Sequence, residues 1–176
     1  MEDCSGWRNK RNAKRKGHTI VAASRFIVLL FCLNGTVIHF ASAQPEREKE
    51  KIKAVILKET VSFMNVDHKS WSDQWLHVPY AYWTYADSSG STFIDGWSAI
   101  DKTYESYFKD QKPSNAKITD EWIDVRLYGN AAYVRFIQKQ TDNIDVDETS
   151  QVRVLEKSNG VWKIVHVGVV VKYPKR

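Results

Sequence analysis

The part of the chain after residue 43 contains no cysteine, because Cys4 and Cys32 both lie before it. Disulfide bridges, thiolate metal ligands and a cysteine nucleophile are therefore excluded there. The sequence also has no glycine-rich phosphate loop and no Gly-x-Ser-x-Gly nucleophile elbow. His68, His77 and His166 are widely separated and form no His-x-His or Glu-x-x-His pattern. We therefore predict no metal site and no cofactor.

A basic excess is also missing once the first 43 residues are set aside. The whole chain has 26 basic and 21 acidic residues, a formal charge of +5. Seven of the basic and two of the acidic residues lie in the first 43, which leaves 19 of each in the rest. Binding to nucleic acid depends on basic patches that neutralise phosphates. We therefore expect no nucleic-acid partner.

Residues 1–43 have the pattern of an export signal. The basic stretch RNKRNAKRKGH is followed by an apolar run over residues 26–41 and by the small residues Ala41, Ser42 and Ala43. The run contains Asn34 and is shorter than the roughly 20 residues that span a bilayer. We predict cleavage after Ala43 and a secreted or periplasmic protein with no membrane contact after cleavage. A retained membrane anchor is the alternative.

The remaining sequence predicts one α+β domain over residues 51–173, preceded by a linker over residues 44–50. Apolar residues at helical spacing predict a helix over 47–66, a short helix over 67–75 capped by Asp67, and a third helix from Gly96. The turn DSSG predicts a hairpin between the second and third helices. Alternating segments then predict a long antiparallel meander, which ends with a strand over residues 161–172.

Several phrases in this order resemble the nuclear transport factor two-like superfamily, and within it the SnoaL-like and calcium/calmodulin kinase association-type small domains. They are DGWSAI at 95–100, LYGNAAYVRF at 127–136 and VRVLEKSNGVWKIVHVG at 152–168. The resemblance implies a cone-shaped fold in which three N-terminal helices pack on a strongly curved antiparallel sheet. It also implies a pocket at the wide end. It does not imply a reaction, because one scaffold hosts many functions.

The catalytic carboxylates of the superfamily's ketosteroid isomerases do not transfer to this sequence. Asp87 lies near the position of the base, but it precedes Ser-Ser-Gly, where a solvated turn carboxylate is the better interpretation. Asp124 and Arg126 share a strand with Trp122. They are either a polar anchor inside the pocket or an exposed charge pair at its rim or outside, and alternation alone does not fix the face.

Aromatic residues are the strongest candidates for a ligand site. Trp and Tyr provide broad apolar walls with one polar group each, which suits an apolar or aromatic ligand. Packing in the core explains the same residues equally simply. The predicted ligand-binding residues are Trp75, His77, Tyr82, Trp83, Tyr104, Trp122 and His166.

Two functions remain open from the sequence. The first is an exported, non-catalytic domain that binds an unknown apolar or aromatic small molecule. The second is a cofactor-free lyase, isomerase or hydrolase in which His77 or His166 acts as acid or base, assisted by Tyr82 or Tyr104. Whether the protein is an enzyme stays undecided at this point.

The last strand predicts a homodimer. Simple alternation places Trp162, Ile164 and His166 on one face, which the resemblance directs into the cone. The opposite face then carries valines, and a strand that is apolar on both faces usually has both of them covered. We therefore expect a second subunit to cover the valine face, which comprises Val161, Val165, Val167, Val169 and Val171.

Overall fold

The computed structural model describes residues 27–142 and 146–172, with side chains from residue 44 onward. Residues 1–26, which make up most of the predicted signal segment, therefore lie outside the described residues. The side chains of Cys4 and Cys32 also lie outside them. The fold below belongs to a compact unit, Ser42–Arg176. Among the helices of the described part, none is both long enough and apolar enough to cross a membrane.

The order of elements agrees with the sequence prediction: helix, helix, hairpin, helix and four-stranded meander. The first helix is longer than predicted at its N-terminal end and includes the expected linker, residues 44–50. The elements are α1 Ile27–Met64, α2 His68–Ser72, β1 Tyr82–Asp87, β2 Gly90–Asp95, α3 Trp97–Asp110, β3 Lys117–Tyr128, β4 Ala131–Thr141, β5 Val146–Ser158 and β6 Val161–Lys172.

The expected linker forms part of the folded domain because its side chains contact the sheet. Glu48 accepts a hydrogen bond of 2.7 Å from the indole of Trp162 and forms an ion pair with Lys157. One turn further along α1, Ile52 and Ile56 are completely buried. The apolar stripe of α1 thus packs on the sheet, as amphipathic helices do.

The six strands form one mixed sheet in the order β2-β1-β6-β5-β4-β3. The expectation of a purely antiparallel sheet is wrong at one pairing, because β1 runs parallel to β6, with Tyr82 opposite His166. Local turn signals correctly predict the antiparallel hairpin and the antiparallel meander. They carry no information on how the hairpin joins the meander, and α3 lies between the two in sequence.

Two strands contain a bulge that reverses their alternation. Trp122 and Asp124 pair with consecutive residues of β4, so Ile123 is an extra residue in β3. His166 and Ile164 likewise pair with consecutive residues of β5, so Val165 is an extra residue in β6. After a bulge of this kind, the side chains that pointed to one face of the sheet point to the other.

The core lies between the helices and one face of the sheet. Trp71, Phe136 and Ile164 are among its largest buried side chains. As predicted, Asp67 caps α2 and accepts a hydrogen bond of 2.9 Å from the backbone N–H of Ser70. These contacts fix the helices against the sheet and leave a cavity beside the core.

The third helix begins at a tight backbone contact. Gly96 precedes α3 with a φ of +80°, and its N–H donates a 2.7 Å hydrogen bond to the carbonyl of Ala81. A Cβ atom at this position would lie 3.2 Å from the carbonyl oxygen of Pro79. Glycine is therefore required both for the positive φ and for the close approach.

Candidate functional site

A cavity of about 840 Å³ opens between the helices and the inner face of the sheet, which we define as the face that packs on the helices. Its size lies within the range of pockets that bury small organic ligands. Helix α1 contributes Glu59, Thr60 and Phe63 to the lining, and α3 contributes Tyr104 and Tyr107. Met64 of α1 and Thr103 of α3 also line it, and strands β1, β2, β4, β5 and β6 supply the remaining residues.

The part of the lining that comes from β6 and β1 is apolar and aromatic. Val167, Val169 and Val171 are the lining residues of β6, and Trp83 and Tyr85 are those of β1. The valines reach the cavity because they follow the bulge at Val165. The expectation that these valines form the opposite, partner-covered face is therefore wrong.

The part of the lining that comes from β4 and β5 is polar throughout. The two halves meet at the pairing of β5 with β6, where Thr149 lies opposite Val171, Gln151 opposite Val169 and Arg153 opposite Val167. The lining residues of β4 and β5 are Gln138, Gln140, Asp147, Thr149, Gln151 and Arg153.

A buried ion pair lies at the base of the cavity. Arg153 and Glu59 have side chains that are only 4% and 8% exposed, and the closest approach of their charged atoms is 3.5 Å. Glu59 also accepts a hydrogen bond of 2.9 Å from the indole N–H of Trp71. Arg153 donates to the side-chain oxygen of Gln151 at 2.7 Å and to the carbonyl of Val152 at 3.1 Å. Such partners are needed because an isolated buried charge is strongly destabilising.

Two polar atoms near this pair lack a partner among the described residues. One is Nε of Arg153, and the other is Oδ2 of Asp120. Burial raises the pKa of Asp120, although a hydrogen bond from Gln138 and the charge of Arg153 oppose the rise. Unsatisfied buried groups are rare in folded proteins, and a bound ligand or water is a common explanation.

Tyr104 is a buried, hydroxyl-bearing residue of the aromatic wall. Its ring packs against Trp71 at 4.9 Å and Trp83 at 5.3 Å between centroids. Burial raises the pKa of its hydroxyl far above the usual range, and the negative charge of Glu59 adds to the rise. The hydroxyl therefore stays protonated at neutral pH and can donate a hydrogen bond.

Of the residues predicted from the sequence, Trp83 and Tyr104 line the cavity. Trp75 is 2% exposed and belongs to the core. His77 stacks on Trp97 with a centroid distance of 4.1 Å, outside the cavity. Trp122 packs on Phe136 in the core rather than on the cavity.

His166 and Tyr82 lie on the outer face, which is the sheet face opposite the cavity. Their rings stack at 5.3 Å. The expectation that the side chain of His166 points into the pocket is wrong. The extra residue at Val165 shifts the alternation of β6, so residues after it point to the face opposite the one expected. Burial lowers the pKa of His166, and the charge of Arg153 lowers it further.

The remaining candidates behave as surface groups. Asp87 accepts hydrogen bonds from the backbone and hydroxyl of Ser89, and these bonds lower its pKa. The interpretation as a turn carboxylate is thus confirmed. Asp124 and Arg126 form a 2.6 Å ion pair in which the arginine is 62% exposed. They follow the bulge at Ile123 and lie away from the cavity, as the outward alternative predicts.

Sequence reasoning missed the polar base of the cavity. Glu59 occupies a position of the α1 stripe between Ile56 and Phe63, where a charged residue interrupts the apolar spacing. In β5 the inward residues Gln151 and Arg153 are buried, whereas Val152 and Val154 face outward. A strand with its polar residues inside is the signal that could have identified the site.

No group of three or more His, Cys, Asp or Glu residues comes together to hold a metal ion in the part of the chain that the structure describes. The charged groups of the cavity are instead those of Glu59, Arg153 and Asp147. The arrangement can surround a small molecule with aromatic and valine side chains and offer it hydrogen bonds from one side.

No protein-family model matches this chain, and no characterised protein matches it significantly in sequence. Solved structures do share its fold. A nuclear transport factor two-like protein of unknown function from Shewanella oneidensis aligns over 69% of this chain and 97% of its own, with 15% identity and a TM-score of 0.57.

Two further structures agree. A putative calcium/calmodulin-dependent protein kinase type II association domain from Thiobacillus denitrificans covers 69% of this chain and 94% of its own, at 9% identity and a TM-score of 0.57. A ketosteroid isomerase-like protein from Erwinia carotovora covers 72% and 98%, at 16% identity and a TM-score of 0.54. The chain therefore has the α+β nuclear transport factor two-like fold, with N-terminal helices on a six-stranded mixed sheet.

Proposed function

We propose that this protein binds an apolar or aromatic small molecule in a cone-shaped cavity and does not catalyse a reaction. The observation that carries the proposal is the cavity of about 840 Å³ with a valine and aromatic wall. Aromatic rings provide large contact areas at low entropic cost, and a preformed concave site is the usual form of a ligand pocket.

The alternative, a lyase, isomerase or hydrolase with a histidine base, has less support. None of the described residues that line the cavity is a histidine. His77 and His166 lie on other surfaces, and the hydroxyl of Tyr82 lies on the outer face with His166. Tyr104 lines the cavity, but its raised pKa makes it a poor base at neutral pH.

The neutral fluorescent probe N-phenyl-1-naphthylamine tests the binding proposal, because its emission rises in an apolar site. We expect saturable binding to the unmodified protein. Val169→Trp fills the cavity from β6 and is expected to weaken the binding at least tenfold. Val161→Trp places the same side chain at a 53% exposed position six residues before Val167 and should leave binding unchanged. Equal binding by all three proteins would overturn the proposal.

We also propose that two copies associate through the outer face. After the bulge, this face carries Val170, which is 52% exposed, and Val152 and Val154 on β5. Phe93 at the far edge is 61% exposed. Strand spacing and length give the face an area of about 900 Å², and a standard interface buries about 800 Å² per partner. The same face also carries charged residues such as Arg126, and a second copy related by a two-fold axis is the simplest match for the valines at its centre.

Sedimentation velocity tests the dimer. The unmodified protein should sediment as a dimer, and Val154→Lys should sediment as a monomer, because two lysines would then be buried across the two-fold axis. Val61→Lys, at a 53% exposed position of α1, is the control and should remain dimeric. A monomeric unmodified protein at 100 µM (about a hundredfold above a micromolar Kd) would contradict the proposal.

Export is the third part of the proposed function. Cleavage after Ala43 would leave Glu48 in the mature chain, together with its contacts to Lys157 and Trp162. Expression with an intact N-terminus in a bacterial host, followed by intact-mass measurement of the periplasmic fraction, should give a chain that begins at Gln44. Full-length protein confined to the cytoplasm would contradict export.

A further inference from the structure

The polarity of the cavity lining follows the order of the strands. On one side of the β5–β6 pairing, the lining residues of β6 are all valines, those of β1 are aromatic, and β2 adds Ile94 and Thr92 at the edge. On the other side, every lining residue of β4 and β5 is polar. The three pairs Thr149 with Val171, Gln151 with Val169 and Arg153 with Val167 mark the boundary along the strands. The sheet side of the cavity is thus divided along its length into a mostly apolar half and a polar half.

Most of the polar half is uncharged. Gln138 and Thr149 lie opposite each other on β4 and β5, and Gln140 lies opposite Asp147. Gln151 extends the same row and donates a 2.7 Å hydrogen bond to the hydroxyl of Thr149. Amide and hydroxyl groups both donate and accept hydrogen bonds, so this row can serve hydroxyl or carbonyl groups of a ligand.

The lining offers no net positive charge to an anion. Arg153 is its cation, and Glu59 already opposes that charge at 3.5 Å. Asp147 adds a second acidic group to the lining. A carboxylate ligand would add a third negative charge to a lining in which Arg153 is the cation, and unbalanced charge is costly wherever it is removed from water. Nε of Arg153, which lacks a partner among the described residues, can still donate to a neutral acceptor.

From this division we infer that the ligand is an uncharged ring compound that carries its hydroxyl or carbonyl groups along one edge. The inference rests on the proposed binding function and adds the chemical class of the ligand. The rings lie against the valines and aromatic side chains, and the polar edge faces the row of Gln138, Gln140, Thr149 and Gln151. A ring with polar groups on both edges would leave one of them unsatisfied against the valines.

Four small probes of similar size separate these features in calorimetric titrations. Naphthalene-2,7-diol has both hydroxyls on one edge, whereas naphthalene-2,6-diol has them on opposite edges at the same overall polarity. Naphthalene tests occupancy without hydrogen bonds, and 2-naphthoate tests charge. The 2,7-diol can form one more hydrogen bond with the polar half than the 2,6-diol. One such bond corresponds to about a fivefold difference in affinity. We expect the 2,7-diol to bind about fivefold more tightly than the 2,6-diol, and 2-naphthoate to bind most weakly.

A matched pair of variants connects this preference to the polar half. Thr149→Val removes a hydroxyl from β5 inside the lining, and Thr119→Val removes one from an exposed position of β3 outside the lining. We expect Thr149→Val to reduce the preference for the 2,7-diol to less than twofold and to leave naphthalene binding unchanged. Thr119→Val should keep the full preference.

The remaining outcomes of these titrations separate the inference about the ligand class from the proposed binding function. Equal affinity for the two diols, or tightest binding of 2-naphthoate, with naphthalene still bound, would overturn the inference about the ligand and leave the binding function intact. A preference that survives Thr149→Val would also overturn it. Failure of all four probes and of N-phenyl-1-naphthylamine to bind would overturn the proposed function as well.

Discussion

The buried pair of Glu59 and Arg153 should stabilise the fold only when both partners are present. Glu59→Gln keeps the acceptor for Trp71 but leaves the guanidinium without its counter-charge. Arg153→Met leaves the carboxylate of Glu59 buried and unpaired. Removal of one partner of a buried pair typically costs 3–5 kcal/mol. The pair is long at 3.5 Å and has other hydrogen bonds, so we expect about 3 kcal/mol for each single variant.

The double variant Glu59→Gln with Arg153→Met should be no less stable than either single variant. Replacement of both charges removes the desolvation cost together with the attraction, and the remaining loss comes from partners such as Gln151, which no longer receives a hydrogen bond from Arg153. We therefore expect a loss of no more than about 3 kcal/mol. The coupling energy is then at least about 3 kcal/mol in magnitude, at or above the upper end for residues in contact.

Urea unfolding at pH 7 measures these differences. With a slope of about 1.5 kcal/mol per molar urea, a loss of 3 kcal/mol lowers the midpoint by about 2 M. The exposed pair of Lys109 and Glu105 provides the control, and Lys109→Met should change stability by less than about 0.5 kcal/mol. Additive losses of about 6 kcal/mol in the double variant, or single losses below about 1 kcal/mol, would mean that Glu59 and Arg153 do not stabilise the fold as a pair.

Three further results are expected. The ion pair with Lys157 holds the pKa of Glu48 at about 2, below its ordinary 4.5, so its contribution to stability is present above pH 4.5 and is lost as the pH falls toward 2. Glu48→Gln should therefore be less stable than the unmodified protein at pH 6 and equally stable near pH 2 in acid unfolding; a pH-independent difference would contradict this. Gly96→Ala should lower the free energy of unfolding by about 1–3 kcal/mol, because the position combines a positive φ with a carbonyl of Pro79 at 3.2 Å; a neutral effect in urea would contradict it. His166→Ala should bind N-phenyl-1-naphthylamine as the unmodified protein does, and a loss of binding would mean that His166 reaches the cavity.

The order of elements could be predicted from the sequence because turns and periodicity are local signals. The faces of β3 and β6 could not be, because each strand has one extra residue in a run that otherwise alternates. Ile123 and Val165 are ordinary β-formers, and nothing in their chemistry marks a bulge. One extra residue was enough to exchange His166 for Val167 as the side chain at the cavity.

The aromatic wall could be predicted in part, and the polar base could not. Trp83 and Tyr104 could be predicted as lining residues because large aromatic side chains commonly form the walls of ligand pockets. Glu59 and Arg153 are 94 residues apart in sequence and meet only through the packing of α1 on β5. In the sequence, each has the pattern of a surface charge, because the sequence does not show which face of α1 or of β5 is buried.

The proposed function requires the ligand to occupy the cavity on the inner side of the sheet. The most direct test is the pattern of intermolecular nuclear Overhauser effects between bound N-phenyl-1-naphthylamine and the valine methyl groups. We expect contacts to Val169 and Val171, which line the cavity. Contacts confined to Val152, Val154 and Val170 on the outer face would contradict it.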